Sequence, residues 1–330
     1  MQINVLNPQG NDPEQAFSEG AGVPNDRVHA PVNYHAYAAC TRGTFYREAV
    51  RIPHEQRAIV LLLRRDLKLA LKTIAQLQAN QQCVAVAWKE CGKHQIAEQL
   101  ESEKNVALFR EVCTLAGAAI SATPELVSLY RDAGAQVVEF IPTPYPIEDE
   151  RWNFSMPLEN RAGIFIGTRK WDEPTRHHAA TIARALEYGV PVTVCNVDGR
   201  AGQKKLSELI SQKNSHLKII EGPLPYTEYL RAMSKARIVL QGDQSEVPGQ
   251  VAGDALLCRM PCVGGNSAIE QLAFHTAPSA ETLLRDDVAW ALFVRESQKR
   301  AIESLSYTKG AEKLGKFFSA FHKKEGSVSK

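Results

Sequence analysis

In the segment DLKLALKTIAQLQANQ, apolar residues at 67, 71, 74 and 77 recur at the spacing of one helix face. Asp66 stands where a helix N-cap belongs. The runs on either side, AIVLLL (58–63) and CVAVAW (83–88), are short and apolar and read as strands. Strand, helix, strand in that order predicts a parallel pair joined by a right-handed crossover. INVLN (3–7), AGAAIS (116–121) and QVVEFIP (136–142) continue the strand rhythm. TPELVSLYRDAGA is a helix with Thr123 as cap, Pro124 in its first turn and Gly134 at its end.

PTPYPIEDERW (142–152) breaks this rhythm with three prolines and a charged run, and reads as a linker. The alternation then restarts. AGIFIG (162–167), VPVTVCN (190–196), LKIIEG (217–222), RIVLQG (237–242) and MPCVGG (260–265) are the expected strands. TRHHAATIARALEYG, AGQKKLSELISQ, YTEYLRAMSKA and PGQVAGDALLC are the helices between them. Such a series predicts a doubly wound sheet. From about 281 onward the pattern is wholly helical, with Phe317, Phe318 and Phe321 suited to a core-facing stripe. The expected division is 1–145 as a first α/β domain, 146–155 as linker, 156–290 as a second, and 291–330 as helices.

Composition narrows the class. At 330 residues and 44% hydrophobic, the chain can bury a substantial core. A formal net charge of +2 gives no strong footprint for nucleic acid. AIVLLL falls far short of a membrane span of about 20 residues, and MQINVLNPQGNDPEQ lacks the basic and apolar regions of a secretory signal. Seven scattered cysteines without a C-x-x-C pair suit a reduced cytoplasm. Nine histidines form no zinc-like array, so no metal is expected.

The stretch SEVPGQVAGDALLCRMPCVGG (245–265) holds the densest candidate chemistry. In a doubly wound sheet, ligands bind beyond the carboxyl ends of the strands, and RIVLQG leads into this loop. Pro248 suits the first helical turn, and Gly249 allows close backbone approach. The amides of Gly249, Gln250 and Val251 would then face an anion such as phosphate. Glu246 lies beside that anion site, able to accept hydrogen bonds from a hydroxylated group. Asp254, on the face shared with Gln250, suits a vicinal pair of hydroxyls as on a ribose. From chemistry alone two plainer readings stand beside these: Asp254 as a solvated helix residue, and Glu246 as a favourable charge at a helix start.

Residues 217–274 resemble the donor half of retaining GT-B glycosyltransferases, the group carrying a Glu-x7-Glu motif. KIIEG, YTEYLRAMSKA, RIVLQ, the loop with Glu246, Pro248 and Gly249, and DALLCRMPCVGG carry the resemblance, and GNSAIEQLAF follows with an acidic residue after a Gly-rich turn. AGIFIG and the basic segment after it look like that domain's first strand and phosphate-facing loop. The first half matches in rhythm only. The resemblance implies two Rossmann-like doubly wound domains facing a cleft, with C-terminal helices crossing back to the first domain. It assigns the donor sugar to Glu246 and the ribose to Asp254; Arg169 is the candidate for the diphosphate, beside Gly167, with Lys170 and Arg176 behind it, both of which read more plainly as exposed basic residues. The chain departs from the group's pattern twice: Asp254 stands where Glu is usual, and Thr168 follows Gly167 where Arg is usual.

Implied with this are transfer from a nucleotide sugar to a glycan, lipid-linked or other glycoconjugate acceptor, retention of configuration, and no cofactor or divalent ion. The expected location is cytoplasmic, with KLGKFFSAFHKK also suited to peripheral contact with the inner membrane face. Acceptor contacts are expected from the first half at His35, Arg64, Arg65, Trp88 and Lys89. The rival readings are another GT-B enzyme (a sugar-nucleotide epimerase or a phage DNA-base glycosyltransferase) and a catalytically silent nucleotide-sugar-binding protein.

Overall fold

The computed structural model describes residues 1–167, 174–196 and 216–328. They fall into two units: unit 1 comprises 1–146, 246–248 and 305–330, and unit 2 comprises 147–245 and 249–304.

Unit 1 begins with β1 (Asn4–Leu6), the two-residue β2 (Gln15–Ala16), α1 (His35–Cys40) and β3 (Thr44–Tyr46). Then follow β4 (Ala58–Leu63), α2 (Leu67–Ala79), β5 (Cys83–Trp88), α3 (Lys93–Gln99) and α4 (Glu103–Ala116). β6 (Ala118–Ser121), α5 (Val127–Asp132) and β7 (Val137–Phe140) complete its first segment. Among the described residues the sheet runs β2-β3-β1-β4-β5-β6-β7, parallel except where β2 meets β3. Every residue of β4 and β5 is buried, as central parallel strands covered on both faces require. Asp66 caps α2 by accepting the Leu69 amide at 2.9 Å. The turn at Thr123 and Pro124 is a 3-10 segment (Pro124–Leu126) ahead of α5, and the Thr123 side chain makes no capping bond.

The proline-rich segment differs from a solvated spacer. Residues 141–147 are all buried, and the Tyr145 amide donates to the Leu305 carbonyl at 2.7 Å. Proline there removes donors from a buried segment that joins no sheet, so fewer amides need partners.

Unit 2 holds β8 (Ile164–Ile166), α6 (His178–Glu187), β9 (Val192–Asn196), β10 (Leu217–Glu221), α7 (Tyr226–Ser234) and β11 (Ile238–Gln241). α8 (Gln250–Leu257), β12 (Cys262–Gly264), α9 (Ala280–Arg285) and α10 (Asp287–Leu305) follow. The expected helix AGQKKLSELISQ lies outside the described residues. Among the described residues the sheet order is β10-β9-β8-β11-β12, all parallel. The winding therefore reverses between β8 and β11, and a crevice opens beyond the carboxyl ends of such a strand pair.

α10 stays with unit 2 as far as Ser304, so the change of unit falls at 305 rather than 291. Its Trp290 donates to the Arg237 carbonyl at 2.7 Å and its Gln298 to the Leu256 carbonyl at 3.0 Å. α11 (Tyr307–Val328) belongs to unit 1, where Leu314, Phe317, Phe318 and Phe321 are buried in the core. Gly310 lets α11 approach Pro144: a Cβ there would lie 2.7 Å from the proline Cβ.

Candidate functional site

The switch point of unit 2 is built by three chain segments. β8 ends at Ile166 and runs into Gly167, whose missing side chain matters. A Cβ there would lie 2.5 Å from the Tyr229 hydroxyl and 3.3 Å from Val251 Cγ1. The first turn of α8 and the start of α7 are thereby packed against the end of β8. β11 ends at Gln241 and feeds the loop 242–249, which is held on two sides. The Gln244 amide donates to the Thr175 carbonyl at 2.9 Å, and the Asn266 amide to the Asp243 carbonyl at 3.1 Å. Asp243 also accepts from the Ser245 amide at 2.9 Å and from its hydroxyl, and its Oδ2 lies 3.7 Å from Arg176 Nε. Arg176 is therefore a largely buried brace for this loop, not an exposed cation.

Held this way, Glu246 takes a left-handed backbone with φ +52°. That region is sparsely populated by residues with a side chain, and Glu246 shares it with six other non-glycine residues among those described. Its carboxylate is ion-paired with Lys93 within unit 1. α8 then starts two residues later than expected, at Gln250. Gly249 is its N-cap at φ +98°, and Pro248 precedes the helix instead of occupying its first turn. The reason is steric: a Cβ on Gly249 would lie 2.1 Å from Ser267 Oγ, and the turn there needs a left-handed residue that proline cannot supply. Glycine offers no side-chain cap and the first turn of α8 carries no acid. The amides at Gln250 and Val251 thus form the positive end of a helix dipole at the switch point.

Asp254 is not a solvated residue. It is 1% exposed, and its Oδ1 accepts the Tyr226 hydroxyl at 2.5 Å. Arg169 and Lys170 lie outside the described residues.

Glu270 is a further buried acid. The pattern SAIE (267–270) is a capping box: the Ser267 amide donates to Glu270 Oε2 at 2.7 Å and the Glu270 amide to Ser267 Oγ at 3.3 Å. Burial pushes this carboxyl up to about 7, against the hydrogen bonds from Ser267 and Cys262 and with the Asp243 charge adding to the rise. Between pH 4.5 and 7 the folded protein keeps a proton that the unfolded chain has released. Stability therefore falls as pH rises through that window, by about 3 kcal/mol in full. Glu270→Gln removes this term: melting temperatures taken from pH 4.5 to 8 should show wild type losing ground to the variant. Parallel curves would show that Glu270 does not titrate there.

Unit 1 has its own cluster where β1 and β5 end. Asn7 Nδ2 donates to Asp12 Oδ2 at 3.2 Å, and Lys89 Nζ lies 3.2 Å from the same oxygen. The His35 ring stacks on Phe45 at 3.7 Å, with His29 at 4.0 Å on its other side. Burial first, then the neighbouring His29 and Lys89 charges, lowers His35 to about 2, so it is neutral at ordinary pH. Among the described residues, His35 Nε2 and Asn7 Oδ1 are buried without a hydrogen-bond partner.

Of the first-half expectations, His35 and Lys89 come together in this cluster, while Arg64 and Arg65 are exposed after β4. Trp88 is a correction. It is fully buried with its ring 5.2 Å from Phe109, so it is unable to stack on a ligand. Its peptide is also fixed from both ends, with the amide donating to Tyr130 Oη at 2.7 Å and the carbonyl accepting from Tyr34 Oη at 2.6 Å. β5 is a central strand, and its last residue still packs inward.

Tyr226 and Tyr229 were not singled out in the sequence, and Glu270 was marked only as the acidic residue of GNSAIEQLAF. The available signals were a tyrosine pair three residues apart at a helix start, and a Ser-x-x-Glu capping pattern after Gly264 and Gly265.

No protein-family model matches the chain, and no curated relative matches it by sequence. Solved structures match its fold. Anabaena Alr3699/HepE, in a complex with UDP-glucose, gives a TM-score of 0.60 at 14% identity, over 97% of this chain and 100% of that one. Sucrose-phosphate synthase (tll1590) from Thermosynechococcus elongatus gives 0.62 at 14% identity, over 98% and 99%. OtsA in its apo form gives 0.60 at 8% identity, over 94% and 98%. These are GT-B glycosyltransferases. With two Rossmann-like parallel sheets and a helical C-terminal segment, the chain described here has the GT-B fold.

Proposed function

We propose that the protein is a glycosyltransferase that moves a sugar from a nucleotide-sugar donor to a glycan or glycoconjugate acceptor, retaining configuration and using no divalent ion. The observation that carries this is the braced loop after β11. In it Glu246 has a left-handed backbone four residues before the start of α8, on the chain that leaves β11. The nucleotide sugar is the donor class because HepE was solved with UDP-glucose.

In this reading the departing diphosphate faces the amides of Gln250 and Val251, with Gly167 giving room and Arg169 and Lys170 adding positive charge. Fixed dipoles stabilise the leaving group because they need no reorganisation as charge develops. Glu246 accepts a hydrogen bond from a donor-sugar hydroxyl, and Asp254 belongs to the ribose side. The leaving phosphate assists deprotonation of the acceptor on the same face. Unit 1 supplies acceptor contacts. Lys89 and Asp12 offer a donor and an acceptor, exposed Arg64 and Arg65 suit an acceptor phosphate, and His35 and Asn7, at 2% and 0% exposure, back this cluster from within.

The test is a thermal-shift series with UDP, GDP, ADP and their glucose conjugates, followed by assay for slow nucleotide release. At a hundredfold excess over Kd, binding adds about 2.7 kcal/mol, a rise of about 5 °C or more. No shift with any of them removes the donor-site assignment. A shift without hydrolysis or transfer leaves a binding protein instead of an enzyme.

A further inference from the structure

Asp254 is 1% exposed, whereas Tyr226 is half-buried and gives its hydroxyl proton to Asp254 Oδ1 at 2.5 Å. The tyrosine ring has two aromatic neighbours, Tyr229 at 6.3 Å and 16° and Trp152 at 6.3 Å and 45°. Tyr229 in turn packs its hydroxyl against the backbone at Gly167, which ties this aromatic wall to the end of β8.

The polarity of this arrangement is specific. A phenol oxygen whose proton is held by a carboxylate only accepts hydrogen bonds, and a carboxylate is itself an acceptor. The corner formed by Tyr226 and Asp254 therefore reads donors, which means hydroxyl groups, and repels phosphate oxygens. One turn nearer the start of α8, the amides at Gln250 and Val251 have the opposite polarity and favour phosphate. A nucleoside diphosphate is a ligand class that carries both an anion and a vicinal pair of hydroxyls.

We infer that Tyr226 is the residue that contacts the ribose hydroxyls of the donor nucleotide, with Asp254 acting through it as a positioning residue. This rests on the donor-site reading above. It changes the role implied for Asp254: a side chain one bond shorter than Glu, and buried, is supplemented by a tyrosine that reaches farther out. Asp254 holds the phenol's proton and so fixes the direction in which its oxygen accepts.

The test is calorimetric titration of the full chain with UDP, GDP and ADP, then with the 2′-deoxy and 3′-deoxy forms of whichever binds tightest. Wild type should prefer the ribonucleotide by about tenfold over at least one deoxy form, the size of one or two hydrogen bonds. Tyr226→Phe should bind ribo and deoxy forms alike, with the loss confined to the ribo form. Asp254→Ala, which releases the tyrosine proton, should lower the ribo preference, and the double variant should lose no more than Tyr226→Phe alone. A Tyr226→Phe protein that keeps the wild-type ratio overturns the inference, and so does a double variant whose losses add, since the carboxylate would then contact the ribose independently. If Tyr226→Phe does not fold, by melting temperature, Tyr226→Leu takes its place in both comparisons. Wild type binding none of the three diphosphates is a different result, because it removes the donor site itself.

Discussion

Glu246→Gln is expected to lower the rate of sugar transfer by about 10²-fold while nucleoside diphosphate binding stays within about threefold. The substitution keeps shape and removes only charge, so what it reads is electrostatic. The loop leaves little freedom for the side chain to find another position. Asp243, Gln244 and Asn266 fix the backbone before it, and the φ of +52° fixes its own. A carboxylate accepting a donor-sugar hydroxyl makes a charge-assisted bond, stronger than the neutral amide that replaces it. That bond strengthens as the anomeric centre becomes positive, so the loss falls on kcat more than on KM. The ion pair with Lys93 contributes little to this, since its side chains are 59% and 25% exposed and solvent screens such pairs. Steady-state kinetics with the best donor decides the matter: unchanged turnover takes Glu246 out of the site.

Gly249→Ala is expected to cost about 3 kcal/mol or more of stability, a fall in melting temperature of about 10 °C, and to abolish nucleotide binding. Two penalties coincide there. A φ of +98° is unfavourable for any residue with a Cβ, and that Cβ would lie 2.1 Å from Ser267 Oγ and 2.7 Å from Ser267 Cβ. Ser267 does not yield easily, because its amide and hydroxyl are both engaged in the capping box with Glu270. Gly189→Ala is the matched control. Its φ is +66° and nothing lies within 4 Å of the added carbon, so only the backbone penalty of about 1 kcal/mol applies. Equal losses at the two positions would show that the close approach of α8 to Ser267 carries no weight.

The sheets were legible in the sequence because their strands are uniform. AIVLLL, CVAVAW and RIVLQ pack as central strands, so their apolar runs report burial directly. Asp66 was legible as a cap because an N-cap is a local bond between near neighbours. The start of α8 was misplaced by two residues because Pro248 carries a strong local preference for a first turn, whereas Gly249 answers a contact with Ser267 eighteen positions on. Trp88 misled for a related reason. Its position at a strand end suggests the crevice, and only Tyr34, Tyr130 and Phe109 reveal that it points inward. In the site, residue type and spacing marked the loop at Glu246 and the turn at Gly249, while the roles proposed for them come from the resemblance. The Tyr226–Asp254 bond joins residues 28 apart on different helices, so no periodicity encodes it. Short elements such as β2, β3 and α1 carry too few residues for a pattern to form.

The burial of Phe317, Phe318 and Phe321 in unit 1 has a bearing on synthesis. The chain begins unit 1, makes the whole of unit 2, and only then supplies the helix that fills the first core. Phe321 packs 3.6 Å from where a side chain on Gly117 would begin, about two hundred residues earlier. On the ribosome, residues 1–146 must wait with part of their apolar surface uncovered, an interval in which such surfaces are prone to aggregate. Unit 2, nearly contiguous from 147 to 304, has no such wait. The order of emergence from the exit tunnel is therefore not the order in which the two cores close.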